Sequence, residues 1–213
     1  MRVIKSVVTT DTILTSSNIP EDEYPAWVSG TSYTALDKVI YQHKIYQRIV
    51  TGVGTTPPDL DQVNWLDGGY TNRYRMFDNI ISSVSSRTGG IEFTLTPNQV
   101  INGIALLNVN ASTVRVVMND PIEGVVYDRT KELRSSSNVI DYYSYFFAPL
   151  INLGDLDTAI FLDLPNKPTA TITVYVSSGV GLVGVGEVVY GVQSIVGRTN
   201  YGTAIGITSY SRK

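Results

Sequence analysis

The chain has 213 residues, 43% hydrophobic and 16% charged, a composition that excludes a disordered protein. A net charge of −3 argues against a nucleic-acid binder that works through a general positive field. Cysteine is absent, which excludes disulfides and thiolate zinc sites.

Residues 1–20 read as an extended arm. A strand-like run, Val3–Val8, leads into a Thr/Ser stretch from Thr9 to Ser17 and ends at Asn18-Ile-Pro20. Thr9, Thr10 and Asp11 cut the apolar run too early for a signal peptide. Such an arm can pair with a sheet of its own chain or of a neighbour. The acids Glu21, Asp22 and Glu23 lack the alternating spacing of a calcium loop and read as a charged loop.

Residues 21–69 form a small aromatic β-module holding both tryptophans and the only histidine. A unit this short cannot build a large aliphatic core. Its rings are therefore either the core or a stacking platform, and the scarcity of aliphatics favours core for most of them. Trp27 is the ring best placed to be exposed. Strand runs at Lys38–Tyr41 and Ile45–Val50 flank Gln42-His43-Lys44, so His43 is expected at a hairpin tip as a solvated turn residue. A lone histidine without cysteine supports no conventional zinc site, and a Ser-His-Asp triad would have to recruit it from this turn.

Past a boundary at Asp67-Gly-Gly-Tyr70, residues 70–213 read as one β-sandwich of jelly-roll type. Ile91–Leu95, Ser112–Met118 and Ala170–Val176 alternate cleanly, and further β-rich runs cover Ile101–Val109, Gly124–Tyr127, Val139–Phe147, Thr158–Leu162 and Val185–Val192. Arg129, Lys131 and Arg134, offset by Asp128 and Glu132, read as a solvated loop. In Asp141-Tyr-Tyr-Ser-Tyr-Phe-Phe147, strand geometry would put Tyr143, Tyr145 and Phe147 on one face and Tyr142 and Phe146 on the other. A strand aromatic on both faces suits a central buried position or an interface, and Tyr143, Tyr145 and Phe147 are the candidate interface residues.

Gly179-Val-Gly181-Leu-Val-Gly184 spells G-x-G-x-x-G, but a strand pattern follows it and no acid lies beyond Glu187, so a dinucleotide site is excluded. Asp155, Asp157 and Asp163 lie near one another in sequence without marking a glycosidase pair. The longest apolar stretch, Gly179–Val192, is too short to span a bilayer. No catalytic residue, metal site or cofactor is assigned, and the expectation is an all-β, non-enzymatic protein.

Trp27, Tyr33, Asp37, Val39, Tyr41, Tyr46, Pro57 and Trp65 fall on a Trp…Tyr…Gly-Asp-x-Val-x-Tyr…Tyr…Pro…Trp pattern. In this the module resembles the small chitin-binding type of carbohydrate-binding module. Leu36 stands where that family has glycine, so the turn there is expected to differ. The resemblance implies ring stacking on sugar and points to Trp27, Tyr33 and Trp65.

Over nearly the whole chain, the segments Leu14–Trp27, His43–Tyr46, Asn64–Asp67 and Thr71-Asn-Arg-Tyr-Arg-Met-Phe-Asp78, with the Tyr201–Lys213 tail, resemble a family of tailed-bacteriophage virion proteins. That resemblance implies a structural adaptor of tail, baseplate or fibre, made in the host cytoplasm and present in the virion in several copies. Its partners would be other virion proteins and further copies of itself. The alternative is recognition of host-surface polysaccharide through the aromatic module.

Overall fold

The computed structural model describes residues 2–133, 142–147 and 156–197. They form an all-β protein: a sandwich of two five-stranded antiparallel sheets, with a small module inserted between the second and eighth strands.

One sheet of the sandwich is built around β15 (Leu182–Ile195). On one side β15 pairs with β10 (Gly103–Asn110), which in turn pairs with β13 (Ala159–Phe161). Its other side is shared by β8 (Ser85–Thr88) and β1 (Arg2–Ser6). The second sheet runs β12 (Gly124–Glu132), β11 (Thr113–Asp120), β14 (Thr171–Ser177), β9 (Ile91–Leu95) and β2 (Leu14–Ser17). The period-2 pattern sends one side of each strand inward. Val114, Val116 and Met118 of β11 meet Ile172, Val174 and Val176 of β14 and Ile91, Phe93 and Leu95 of β9. Ile104, Leu106, Val183, Val185 and Tyr190 close the core from the other sheet.

The arm is not a separate unit. β1 pairs with β15 and β2 with β9 of the same chain, so residues 2–17 belong to the sandwich. The G-x-G-x-x-G string spans a turn, with Gly179 at φ +75, and the start of β15. Gly186 serves packing instead. A Cβ there would collide with the carbonyl of Ile81 and with Asn108, so only glycine lets that loop cross the strand.

Two expectations are corrected. Arg129 and Lys131 lie on β12 rather than in a loop, and Arg129 pairs with Asp163 at 2.9 Å. Residues Tyr142–Phe147 are a short α-helix, α1, and not a strand. A run with aromatics at almost every position carries no period, so alternation could not be read from it. Helical spacing instead sets Tyr142 edge-on to Phe146 and Tyr143 at a tilt to Phe147, each pair 4.9 Å between centroids, and all four rings are exposed. The strand face of Tyr143, Tyr145 and Phe147 therefore does not exist. The side chain of Tyr145, together with Arg134, Asp155 and the Tyr201–Lys213 tail, lies outside the described residues.

The module has a sheet of β4 (Lys38–Tyr41), β5 (Lys44–Arg48) and β7 (Trp65–Tyr70), and a ladder of β3 (Thr31–Tyr33) with β6 (Gly52–Gly54). Tyr33, Val39, Tyr46 and Trp65 are its core, with Trp27 and Tyr41 packed against them. Behind it, Tyr74 and Met76 of the Thr71–Asp78 string pack into the sandwich core.

Candidate functional site

Of the three rings implied for sugar stacking, two are buried in the module. Trp65 is 2% and Tyr33 7% exposed, and they meet edge to face at 5.1 Å. The Tyr33 hydroxyl accepts from the Val28 amide at 2.8 Å and donates to the Val28 carbonyl at 3.1 Å, which ties the loop before β3 to the core. The guanidinium of Arg48, a buried side chain, lies 5.0 Å from the Trp65 ring centroid. Neither ring offers a face to a ligand, because so small a unit needs its largest rings for its own interior.

Trp27 differs. It is half-buried and makes an edge contact with Tyr41 at 5.3 Å between centroids. Trp27, Tyr41 and Tyr24 line one open cleft of about 370 Å³ together with Glu21, Ala26, Ile40, Gln42 and His43. The cleft is held by pairing of the segment around Ala26 with β4. Ala26 bridges to Ile40, the Trp27 amide donates to the Ile40 carbonyl at 2.9 Å, and Lys38 reaches the Tyr24 hydroxyl at 3.4 Å. Sequence reasoning missed Tyr24 and Tyr41 for this role. Alternation along β4 was the available signal for Tyr41, since it puts that ring on the same side as the core residue Val39. Tyr24 had no such signal, because the bridge that brings its segment to the sheet joins residues distant in sequence.

His43 sits at the predicted hairpin tip, and both Gln42 and His43 take positive φ as a tight two-residue turn requires. It is not a solvated residue. Its Nε2 lies 2.8 Å from Asp11 Oδ1 and its Nδ1 3.0 Å from Glu21 Oε1, and its ring stacks on Tyr74 at 4.0 Å. The doubly protonated imidazole is the form that donates to both carboxylates. The Tyr74 hydroxyl donates to Asp11 at 2.7 Å, the Thr71 hydroxyl to Glu21 at 2.9 Å, and the Thr71 amide to the His43 carbonyl at 2.8 Å. The hydrogen bonds from Tyr74 and His43 hold the Asp11 carboxyl below its ordinary pKa, and burial with the Asp11 bond pushes the Tyr74 hydroxyl up. Glu21 and Glu23 are thus joints and not a free acidic loop, since Glu23 accepts from the Asn72 amide at 2.5 Å. The cleft borders this plug of module into sandwich.

Among the described residues no group of three or more His, Cys, Asp or Glu side chains is arranged to hold a metal ion. No helix among them is long and apolar enough to cross a membrane.

No protein-family model matches the sequence, and no curated protein matches it. Among solved structures, the F5/8 type C domain of a Bacteroides fragilis protein aligns at a TM-score of 0.36 and 11% identity, over 55% of this chain and 79% of that one. Chitosan-binding module 1 of a chitosanase/glucanase from Paenibacillus sp. IK-5 aligns at 0.36 and 9%, over 58% and 85%. The Clostridium perfringens protein CpGH89CBM32-5, in complex with GalNAc-β-1,3-galactose, aligns at 0.35 and 12%, over 56% and 83%. At these values only the side chains of this chain bear on its function.

Proposed function

We propose that this protein is a non-catalytic glycan-binding protein whose ligand lies in the Tyr24–Trp27–Tyr41 cleft. The observation that carries this reading is the convergence of three half-buried rings on one open cleft with polar groups at its border. An aromatic ring with one wet edge presents an apolar surface beside hydrogen-bonding groups, and a pyranose presents the matching pair, a C–H face and a hydroxyl rim. Glu21 and His43 are already engaged with each other, while the exposed Gln42, whose side-chain nitrogen donates to the Tyr41 hydroxyl at 3.4 Å, has its carbonyl oxygen to offer a sugar hydroxyl. The resemblance of the module to chitin-binding modules supports the same ligand class. On this reading the source of the glycan is host-surface polysaccharide, the ligand that the whole-chain resemblance to phage virion proteins suits.

The test is retention of the full chain on insoluble chitin and on a glycan array. Trp27→Ala and Tyr41→Ala should each weaken retention at least tenfold, about the loss that 1.4 kcal/mol brings, while Tyr33→Phe should leave it unchanged. A folded protein that no glycan retains, or a Trp27→Ala variant that binds as the parent does, overturns the reading.

A further inference from the structure

The module carries a second cleft, of about 470 Å³, that stacking on Trp27 does not use. Its walls are Lys44 and Tyr46 of β5, Trp65, Leu66 and Asp67 of β7, and Pro58, Asp59 and Gln62 of the connecting loop. Two enclosed polar atoms on its lining residues have no hydrogen-bond partner, Nε1 of Trp65 and Oδ1 of Asp59. One is an obligate donor and the other an acceptor. An enclosed donor or acceptor left unpaired is costly, so such a pair at one cleft marks a place where a ligand gains more than it loses.

Charge narrows the ligand. Lys44 is the one lysine of the lining, and Asp67 neutralises it at 2.8 Å. Lys44 also lies over the Tyr70 ring, 5.2 Å from its centroid, and its ion pair is with Asp67 and not with Asp59. Two other donors near the loop are turned to other partners: Arg48 covers the Trp65 ring, donates from Nε to the Val50 carbonyl at 2.7 Å and brings Nη1, which has no hydrogen bond, to 4.0 Å from Asp61, and the Asn64 side chain donates to Asp61 at 2.9 Å. Asp59 is left as an uncompensated carboxylate, and its charge, after burial and Asp67, helps raise the pKa of the Tyr46 hydroxyl in the same cleft. With its ring face covered by Arg48, Trp65 has only its N–H edge to offer.

We infer that this cleft is a second carbohydrate subsite, for a 2-amino sugar whose free amine is protonated. The ammonium pairs with Asp59, the neighbouring hydroxyl oxygen accepts from Trp65 Nε1, and Gln62 and the Lys44–Asp67 pair meet the remaining hydroxyls. This rests on the reading that the module takes glycans, and adds a site of different chemistry: stacking of a sugar face at Trp27, and capture of a vicinal amino alcohol at Asp59. A chain with both would hold a partly deacetylated polymer at two points and gain avidity from the pair.

The protein has only two tryptophans, so a ¹⁵N-correlated NMR spectrum of the full chain shows two indole N–H signals, assigned with Trp27→Phe. Titration with glucosamine oligomers below the pKa of the amine should move the Trp65 signal. N-acetylglucosamine oligomers should move it at least tenfold more weakly, about the ratio expected when a charge-assisted hydrogen bond is lost. Asp59→Asn, which keeps the shape of the side chain, should erase the preference while leaving the unliganded spectrum dispersed. A Trp65 signal that no amino sugar moves, or that responds equally in Asp59→Asn, overturns the subsite. The Trp27 signal reports the first cleft independently, so failure of the glycan-binding reading and failure of this one are distinguishable.

Discussion

The two cores of this protein are made of different material. The sandwich buries ranks of Ile, Val and Leu around Phe93, whereas the module core is three aromatic rings and one valine. The sandwich core is mostly aliphatic, and the few tyrosines in it have partners for their hydroxyls: Tyr74 donates to Asp11, Tyr127 donates to Asp163, and Tyr190 shares a hydrogen bond with Thr9. Aromatic rings bury about 150–250 Å² each, which lets a very short chain close a core, but Tyr and Trp bring a polar tip that must find a partner or a cleft. Tyr33 finds the Val28 backbone, while the indole nitrogens of Trp27 and Trp65 find none. Each of those two tryptophans borders a cleft of the module. A small aromatic core thus leaves unpaired polar atoms beside clefts at its margins.

The sharpest way to break the comparison is to cut one residue from each core. Trp65→Ala and Phe93→Ala should each cost about 3–5 kcal/mol. A unit of the module's size rarely holds more than about 3–5 kcal/mol, whereas a full domain holds about 5–15. Trp65→Ala should therefore unfold the module alone, read as loss of hydrogen-exchange protection in 31–70 with the sandwich intact. Phe93→Ala should lower the melting temperature of the sandwich and leave it folded. Simultaneous loss of both units in Trp65→Ala would show that the cores are one.

Next in size is the joint between them. His43→Ala leaves Asp11 and Glu21 without their imidazole and should cost about 1–3 kcal/mol. A double-mutant cycle with Tyr74→Phe should give a coupling of at least about 0.5 kcal/mol, because the two side chains stack and share Asp11. Additive effects would mean that module and sandwich are merely adjacent.

Acid should act at the same joint. The folded Asp11 carboxyl titrates below its ordinary value, so the stability it adds is fully present above about pH 4 and is lost as pH falls through the lower, folded value. Asp11→Asn should flatten that acid limb in a stability profile measured by denaturant unfolding; an unchanged limb would assign it to other carboxylates, such as Asp120, whose carboxyl is lowered by the Ile122 and Glu123 amides.

The smallest effect concerns one turn of the module. Leu36 is exposed and takes φ 76, a left-handed conformation that costs a residue with a Cβ about 1–2 kcal/mol. The greater chain entropy of unfolded glycine offsets part of this, so Leu36→Gly should raise the stability of the module by under about 1 kcal/mol and leave the sandwich unmoved.

The sandwich strands were legible because alternation is a local signal: Ile91–Leu95 and Ser112–Met118 each announce one buried face, and the structure buries those faces. The aromatic run at 142–147 was not legible, because a segment apolar at nearly every position fits any period. The candidate site divides in the same way. Residue types and spacing marked the module as aromatic and Trp27 as the ring best placed to be exposed; the structure leaves it half-buried, as it does Tyr24 and Tyr41. Which rings became core was decided by the packing of β5, β7 and the loop before β7. His43 shows the limit most plainly: its place at a hairpin tip follows from the strand runs on either side of it. Its socket of Asp11, Glu21 and Tyr74 comes from segments distant in the chain, and only the tertiary structure brings those charges within hydrogen-bonding distance of the ring. The sequence by itself determined that the chain is all-β and that its small unit would be closed by rings. The tertiary structure decided which polar atoms of the rings and carboxylates were left without a partner beside the clefts, because that depends on contacts between segments that no local pattern encodes.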